Sequence, residues 1–457
     1  MKAWEFEYNI RKSIKPDPNY KPIWSVESGF SENDLLRMKW KTFVPGSGAI
    51  EYLMVGAVQS EENMGKDVSE AEILLEEGFK AYEQSDLDAL RSITYKIFES
   101  LERAKCIEGH KYFSYRRSTD WREISLEFPN ISYRKLSESE LFDRIYAGWL
   151  AQIAGGSMGT YLEGFTSSAL MEVFGERLGK YIQTPSTIND DITYEIAFIS
   201  ALSEMKKYLN SEYLARKWVE LIPFGWSAEL VALENLKRGV KPPVSGTLFN
   251  PFQEWIGAQM RCMVEGFVAP SNPKEAARLA FIDSQISHSG NGIYGGIHSA
   301  VLVSLAFSIE DPVELLHESL KYIPQKTEFR DVIEKVIGWC KNAKSYEEVI
   351  PMIEDEFKQY NWVHLYPNAA VVIMALYFSE GNFDRAMEIV AKAGFDVDCN
   401  AGEVGSIIGV MHGTSAINAY WTEPFNDILE TYVKGFEKIK ISELAELTKS
   451  LVKEISK

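Results

Sequence analysis

Three stretches of this chain carry a small residue at every fourth position: Ala147, Ala151, Gly155 and Gly159; Gly296, Ala300 and Ser304; and Ala401, Gly405, Gly409 and Gly413. A step of four returns to the same face of an α-helix, and each glycine costs a helix about 1 kcal/mol relative to alanine. Such a face recovers the loss only where another backbone approaches closely. The pattern therefore predicts central helices packed tightly against one another, and it confines the fold to one organised by helix–helix crossings.

The remaining periodicity agrees. From Leu141 onward the pattern is nearly all helical, and Ile192, Ile196, Ile199, Leu202 and Met205 form one apolar stripe. The longest apolar run, Ala369 to Phe378, falls well short of the ~20 residues a membrane span needs, so it reads as a core helix. Upstream, Leu74 to Tyr82 and Leu87 to Ile93 predict two amphipathic helices joined by a turn, with Ser85 or Asp86 as N-cap. Around this hairpin, Pro16, Pro18 and Pro22, then Pro45-Gly46-Ser47-Gly48, predict irregular structure, and a charged, aromatic stretch runs from Lys111 to Tyr133. The expected organisation is an all-α domain over 136–457, preceded by a partly helical accessory region, 1–135, of no assigned role.

Composition narrows the function classes. A net charge of −18 without a basic stripe argues against a nucleic-acid partner, whose phosphates require cationic contacts. The four cysteines, at 106, 262, 340 and 399, form neither a C-x-x-C pair nor a short Cys/His spacing, so neither a disulfide framework nor a zinc site is indicated. Met1 to Glu7 lacks the basic start and apolar core of a signal peptide; a cytoplasmic, membrane-free protein is expected.

Two acidic doublets carry the chemistry: Asn189-Asp190-Asp191, ahead of the apolar stripe, and Asp396-Val397-Asp398, ahead of the last glycine run. Acids in a first helical turn complement the helix dipole, and an Asp-rich turn often caps a helix. The second doublet, however, follows Gly394 and lies between two apolar segments, so its carboxylates are expected to point inward. Four carboxylates share a pocket only if cations neutralise them or several are protonated, and all-oxygen ligands suit Mg²⁺ or Mn²⁺. Two glycine-rich loops complete the inventory. Gly155 to Glu163 ends a helix on an acid, and Ser287-His288-Ser289-Gly290-Asn291-Gly292-Ile293-Tyr294 precedes a buried helix whose amides could cradle a phosphate.

In order along the chain, these segments resemble the ADP-ribosylglycohydrolase family, which includes the dinitrogenase reductase-activating glycohydrolases. The family's opening helix is similar to Asp143-Arg144-Ile145 through Gly148, Leu150, Gly155, Gly159 and Glu163; its T-D-D-T motif to Asn189-Asp190-Asp191-Ile192; and its S/T-H loop to Ser287-His288. Its G-G-D-x-D-T-N/A motif resembles Gly394-Phe395-Asp396-Val397-Asp398-Cys399-Asn400, followed by a small-residue helix ending Met411-His412-Gly413. The likeness spans roughly residues 139 to 425. It implies a compact, orthogonal multi-helix domain holding one or two Mg²⁺ or Mn²⁺ ions.

On that likeness the metal ligands would be Asn189, Asp190, Asp191, Asp396, Asp398 and Cys399, and the catalytic residues Glu163, Asp191 and Asp396. The substrate would meet His288, Gly290, Asn291 and Tyr294. The implied activity is metal-dependent hydrolysis of an N- or O-ribosyl bond in an ADP-ribosylated protein or small molecule. A smaller ribosylated metabolite, or a non-catalytic binding role on the same fold, are the alternatives. Asn189 and Cys399 stand where the family has threonine, Ile192 likewise, Gly156 where it has aspartate and Phe395 where it has glycine. The amide oxygen of Asn189 is expected to ligate, whereas a thiol suits Mg²⁺ poorly.

Overall fold

Glycine and alanine let the two central helices touch backbone to backbone. In the computed structural model, which describes residues 1–19, 32–129, 131 and 136–455, the chain is 67% helical. Before the crossing come helices α1 (Ala3–Ser13), α2 (Leu53–Asn63), α3 (Ser69–Glu83) and α4 (Leu87–Glu102). The core follows as α5 (Glu138–Gly159), α6 (Asp190–Met205), α7 (Pro273–Ser284), α8 (Asn291–Ala306), α9 (Leu365–Ser379), α10 (Phe383–Ala393), α11 (Val397–His412) and α12 (Ile441–Ile455). Further helices lie between them, and two antiparallel hairpins are the only sheets among the described residues.

The α5–α11 crossing is the densest contact. A Cβ on Gly155 would fall 2.2 Å from the Ala401 carbonyl oxygen, and one on Gly159 2.3 Å from Asp398 Cα. From the other side, a Cβ on Gly405 would fall 2.6 Å from the Ala151 oxygen, and one on Gly409 2.5 Å from the Ala147 oxygen. Two of the three small-residue runs thus interdigitate along one antiparallel seam. The third lies on α8, which is buried throughout and packs on α7, with Gly296 against Ser284. Helix α9 contains the apolar run 369–378 and is buried almost end to end, and α12 closes over α5, where Trp149 Nε1 donates to Thr448 Oγ1 at 3.1 Å.

The predicted helical hairpin is α3–α4; Ser85 turns the chain at φ +57°, and Asp86 caps α4 by accepting the Ala89 N–H at 3.0 Å. The Pro45–Gly48 segment turns a small hairpin, β1 (Thr42–Phe43) with β2 (Ile50–Glu51). Helix α2 seats this region on the rest of the molecule. Its Ser60 Oγ accepts from Trp255 Nε1 at 2.8 Å, and its Gln59 Oε1 accepts from Asn361 Nδ2 at 3.2 Å. Arg11 of α1, itself buried, lies 4.9 Å from the ring centroid of Phe395, a non-glycine residue held at φ +64°. The expected boundary at residue 135 and Pro22 lie outside the described residues, as do parts of the 111–133 stretch.

The seam gives a contrast between two glycines. Gly155→Ala, despite its better helix propensity, should destabilise by about 1–3 kcal/mol, because the new methyl overlaps the Ala401 carbonyl. Gly338→Ala, on the helix Glu328–Asn342 with nothing within 4 Å of the new Cβ, should stabilise by about 0.5–1 kcal/mol. Urea unfolding of both variants checks the sign of each change.

Candidate metal centre

The acidic doublets open two helices: Asp190 and Asp191 stand in the first turn of α6, and Asp396 precedes α11, where Asp398 Oδ1 accepts the Cys399 N–H at 2.9 Å. At α6 the N-cap is Asn189, whose Oδ1 accepts the Asp191 N–H at 2.7 Å. That bond fixes the amide so that its NH₂ donates to Asp398 Oδ2 at 3.2 Å. One lone pair of the Asn189 oxygen thus serves the helix, and the nitrogen holds an aspartate from the other motif. At α11 the N-cap residue is Asp396, with no side-chain cap bond. Its N–H donates to Asn368 Oδ1 at 3.1 Å, and Asn368 is itself pinned by its donations to the Trp362 and His364 carbonyls. The Asp396 carboxylate is thereby aimed inward, and its Oδ1 is buried without a hydrogen-bond partner.

The ligand atoms of Asp396, Asp398 and Cys399 lie within 4.8 Å of one another. The Asp398 carboxyl, buried and crowded by its acidic neighbours, is raised above its ordinary value, chiefly by that burial. The Cys399 thiol donates to Asp191 Oδ1 at 3.3 Å, and burial followed by the Asp191 charge holds it well above its usual range, so it acts as a donor. Asp190, Glu163, Asp396, Asp398 and Cys399 line one cavity of about 90 Å³; Asn189 and Asp191 stand behind it.

Electrostatics follow from that crowding. Burial, then the Asp398, Asp396 and Asp190 charges, raises the Glu163 carboxyl well above its ordinary value. Burial and Asp398 push Asp190 up to about 7. Asp191 and Asp396 are likewise raised, first by burial and then by their acidic neighbours. Among the described residues no lysine, arginine or histidine lines the cavity. The buried Arg261 is taken by Glu229 at 2.6 Å and Asp283 at 2.5 Å. Clustered carboxylates, one of them with an orphaned oxygen, fit hard divalent cations by their donor chemistry. A second acid–thiol group, Cys262, Glu265 and Asp283, sits around the Arg261 ion pair.

The predicted loop at 287–294 does not reach the cavity. The His288 ring Nδ1 faces Ser287 Oγ at 2.8 Å, and burial with Arg261 nearby keeps the ring neutral. The expected phosphate cradle at the start of α8 is already filled. Glu254 Oε1 accepts from the Asn291 N–H at 2.9 Å and from its Nδ2 at 3.0 Å, beside Gly290 at φ +54°. The Tyr294 hydroxyl exchanges hydrogen bonds with the Ser118 backbone, donating at 3.1 Å and accepting at 2.8 Å. His288, Gly290, Asn291 and Tyr294 thus brace the wall and dock the 112–118 segment.

The cavity also has a wall not anticipated from the sequence: Phe224, Trp226, Trp362 and Tyr432, with Glu229 and Met260. Phe224-Gly225-Trp226-Ser227 precedes the helix Ser227–Lys237. Nothing local tells which cavity such a loop edges.

The family model described as ADP-ribosylglycohydrolase matches residues 137–456. The chain belongs to the ADP-ribosylglycohydrolase family. The match runs past the ends of the motif series, to include α12. A solved structure described as an "ADP-ribosylglycohydrolase-related protein complex" is similar at 16% identity and a TM-score of 0.49, covering 69% of this chain and 99% of that one. No curated protein matches by sequence. All four cysteines are free, and among the described residues no helix is long and apolar enough to cross a membrane.

The raised carboxyls set a pH signature for the chelated protein. Asp190 keeps its proton up to about 7 when folded but releases it near 3.8 when unfolded, so the unfolded chain binds fewer protons and stability falls as pH rises between those values. Glu51, raised by burial to about 7, acts in the same direction. In EDTA, the Tm should drop from about pH 5 to about pH 8. Millimolar Mg²⁺ or Mn²⁺ should restore it at the higher pH, and Asp190→Asn should flatten the slope, as read by thermal denaturation.

Proposed function

We propose that the protein is a metal-dependent glycohydrolase that cleaves an N- or O-ribosyl bond of the ADP-ribose type. The observation that carries this reading is the convergence of Asp190, Asp396, Asp398 and Glu163 on one cavity with, among the described residues, no cationic side chain in its lining. Asp190, Asp396 and Asp398 would hold the divalent ion or ions, Mg²⁺ or Mn²⁺. A bound ion supplies Lewis acidity and lowers the pKa of water.

The chain's own groups divide the remaining work. Asn189 and the Cys399 thiol donate to Asp398 and Asp191, so both departures from threonine keep the aspartates oriented. Glu163, whose carboxyl is raised well above its ordinary value chiefly by burial, holds its proton more firmly than a free carboxyl and is suited to protonate a leaving group as the ribosyl carbon takes on oxocarbenium character. Asp396, with its unpartnered oxygen, adds negative charge beside that carbon. The net charge of −18 supports a small-molecule or protein-borne substrate over nucleic acid, and the unpaired thiols support a reducing, cytoplasmic setting.

Asp398→Asn removes one carboxylate while keeping its shape. Calorimetry should show Mn²⁺ affinity reduced at least tenfold, and ribosyl hydrolysis should fall in parallel, with the far-UV spectrum unchanged. Full turnover in this variant would remove Asp398 from the ligand set.

A further inference from the structure

The buried Arg261 has all five of its N–H groups engaged. Its Nε donates to Asp283 Oδ1 at 2.5 Å, and its Nη1 to Glu229 Oε1 at 2.6 Å and the Gly257 carbonyl at 2.9 Å. Its Nη2 donates to the Asp283 carbonyl at 3.4 Å and to Ser287 Oγ at 3.0 Å. Glu265, four residues further on, gains nothing from it. That side chain is fully buried, and among the described residues neither of its carboxylate oxygens has a hydrogen-bond partner. Glu195 of α6, equally buried, has one unpartnered oxygen, and its charge adds to that of Asp283 at Glu265. Glu195, Glu229, Glu265 and Asp283 thus surround one guanidinium in a region closed to solvent. Unpaired charge is costly there, so the group must hold either protons or a further cation.

The fold supplies a donor set for a cation. The helical line breaks at Cys262, between the helices Gly257–Arg261 and Met263–Val268, which leaves the thiol at the start of the second helix with Glu265 three residues on, along the same face. Asp283 arrives from the last turn of α7, where the helix dipole opposes a carboxylate and favours positive charge. The ligand atoms of Cys262, Glu265 and Asp283 lie within 4.8 Å of one another. Cys262 Sγ is 4.0 Å from Asp283 Oδ1 and 3.6 Å from Ser284 Oγ. Tetrahedral zinc, bonded at ~2.3 Å to sulfur and ~2.0 Å to oxygen, sets such atoms roughly 3.5 Å apart. Helix α8 closes the group from above: a Cβ on Gly296 would fall 3.1 Å from Cys262 Sγ and 2.3 Å from Ser284 Oγ. One thiol with two carboxylates is a mixed soft and hard set, which suits Zn²⁺ and disfavours Mg²⁺.

We propose that Cys262, Glu265 and Asp283 form a second metal site, for a structural Zn²⁺, separate from the carboxylate cavity. Ser284 Oγ stands beside the thiol as a fourth donor. Binding converts the thiol to a thiolate and releases one proton, without redox change. Arg261 holds Asp283 in position as an outer partner, and through Glu229 it connects this site to the cavity wall. The site stands independently of the hydrolase reading. No Cys/His spacing announces it, because Asp283 is brought to Cys262 by the packing of two helices.

The test uses the full-length protein, desalted in millimolar Mg²⁺ so that the hard ion fills the cavity. Metal analysis should find about one Zn²⁺ per chain. Protein produced with Co²⁺ in place of zinc should show a thiolate-to-cobalt band in the near ultraviolet and the visible bands of tetrahedral cobalt. Glu265→Gln, which leaves every thiol in place, and Cys262→Ser should each lower bound zinc roughly tenfold or more and remove the band, with the far-UV spectrum unchanged. Cys399→Ser and Asp398→Asn should keep both. An unaltered protein that takes up no Zn²⁺ overturns the inference and leaves Glu265 neutralised by a proton; zinc whose cobalt counterpart lacks the thiolate band is an adventitious ion and overturns it equally. Both of these outcomes are read without any variant. A band lost in Cys399→Ser but kept in Cys262→Ser and Glu265→Gln would move the ion to the cavity and overturn the second site.

Discussion

The backbone contact between α5 and α11 is what the rest of this molecule depends on. Gly159 sits on the Asp398 backbone, so the end of one helix and the start of the other are held at a distance no larger side chain would permit. Glu163 leaves the C-terminal end of α5, and Asp396, Asp398 and Cys399 stand at the N-terminal end of α11. The seam therefore sets the spacing of the acids as directly as it packs the core. Close-packed interiors yield little to added volume, which makes the glycines as restrictive as the ligands they position.

Around that seam, neutral residues keep like charges together. Asn189 and Cys399 each reach from one acidic motif to the other, donating to Asp398 and to Asp191. Asn368 secures the backbone before α11. Such donors lower the cost of burying carboxylates but leave net negative charge, so part of the cluster must be protonated or matched by cations.

Much of this was legible in the sequence because it rests on short-range periodicity. The four-residue spacing of glycine and alanine announced the seam, the stripe from Ile192 to Met205 placed Asp190 in a first turn, and Asp86 was readable as a cap. What escaped depends on contacts between distant segments. The 287–294 loop has the composition of a ligand cradle, and only the fold shows that Glu254 fills it. Asn189 has an oxygen fit for a metal, and only the Asp191 N–H bond shows which way the amide faces. Trp226, Val44 and Pro45 carry no local mark of a cavity wall, since their meeting joins segments about 180 residues apart in sequence.

Phe395 adopts a backbone conformation that glycine accepts freely and a bulky side chain resists. Arg11 lies over its ring, from a helix at the other end of the chain. The family match and the structure that supports its aspartates consequently differ in extent. A fragment cut at the edge of the family match would retain every aspartate of the cavity yet lose the clamp on the turn that delivers two of them. Homology marks where the chemistry is encoded, whereas the mechanical support for it begins more than a hundred residues earlier.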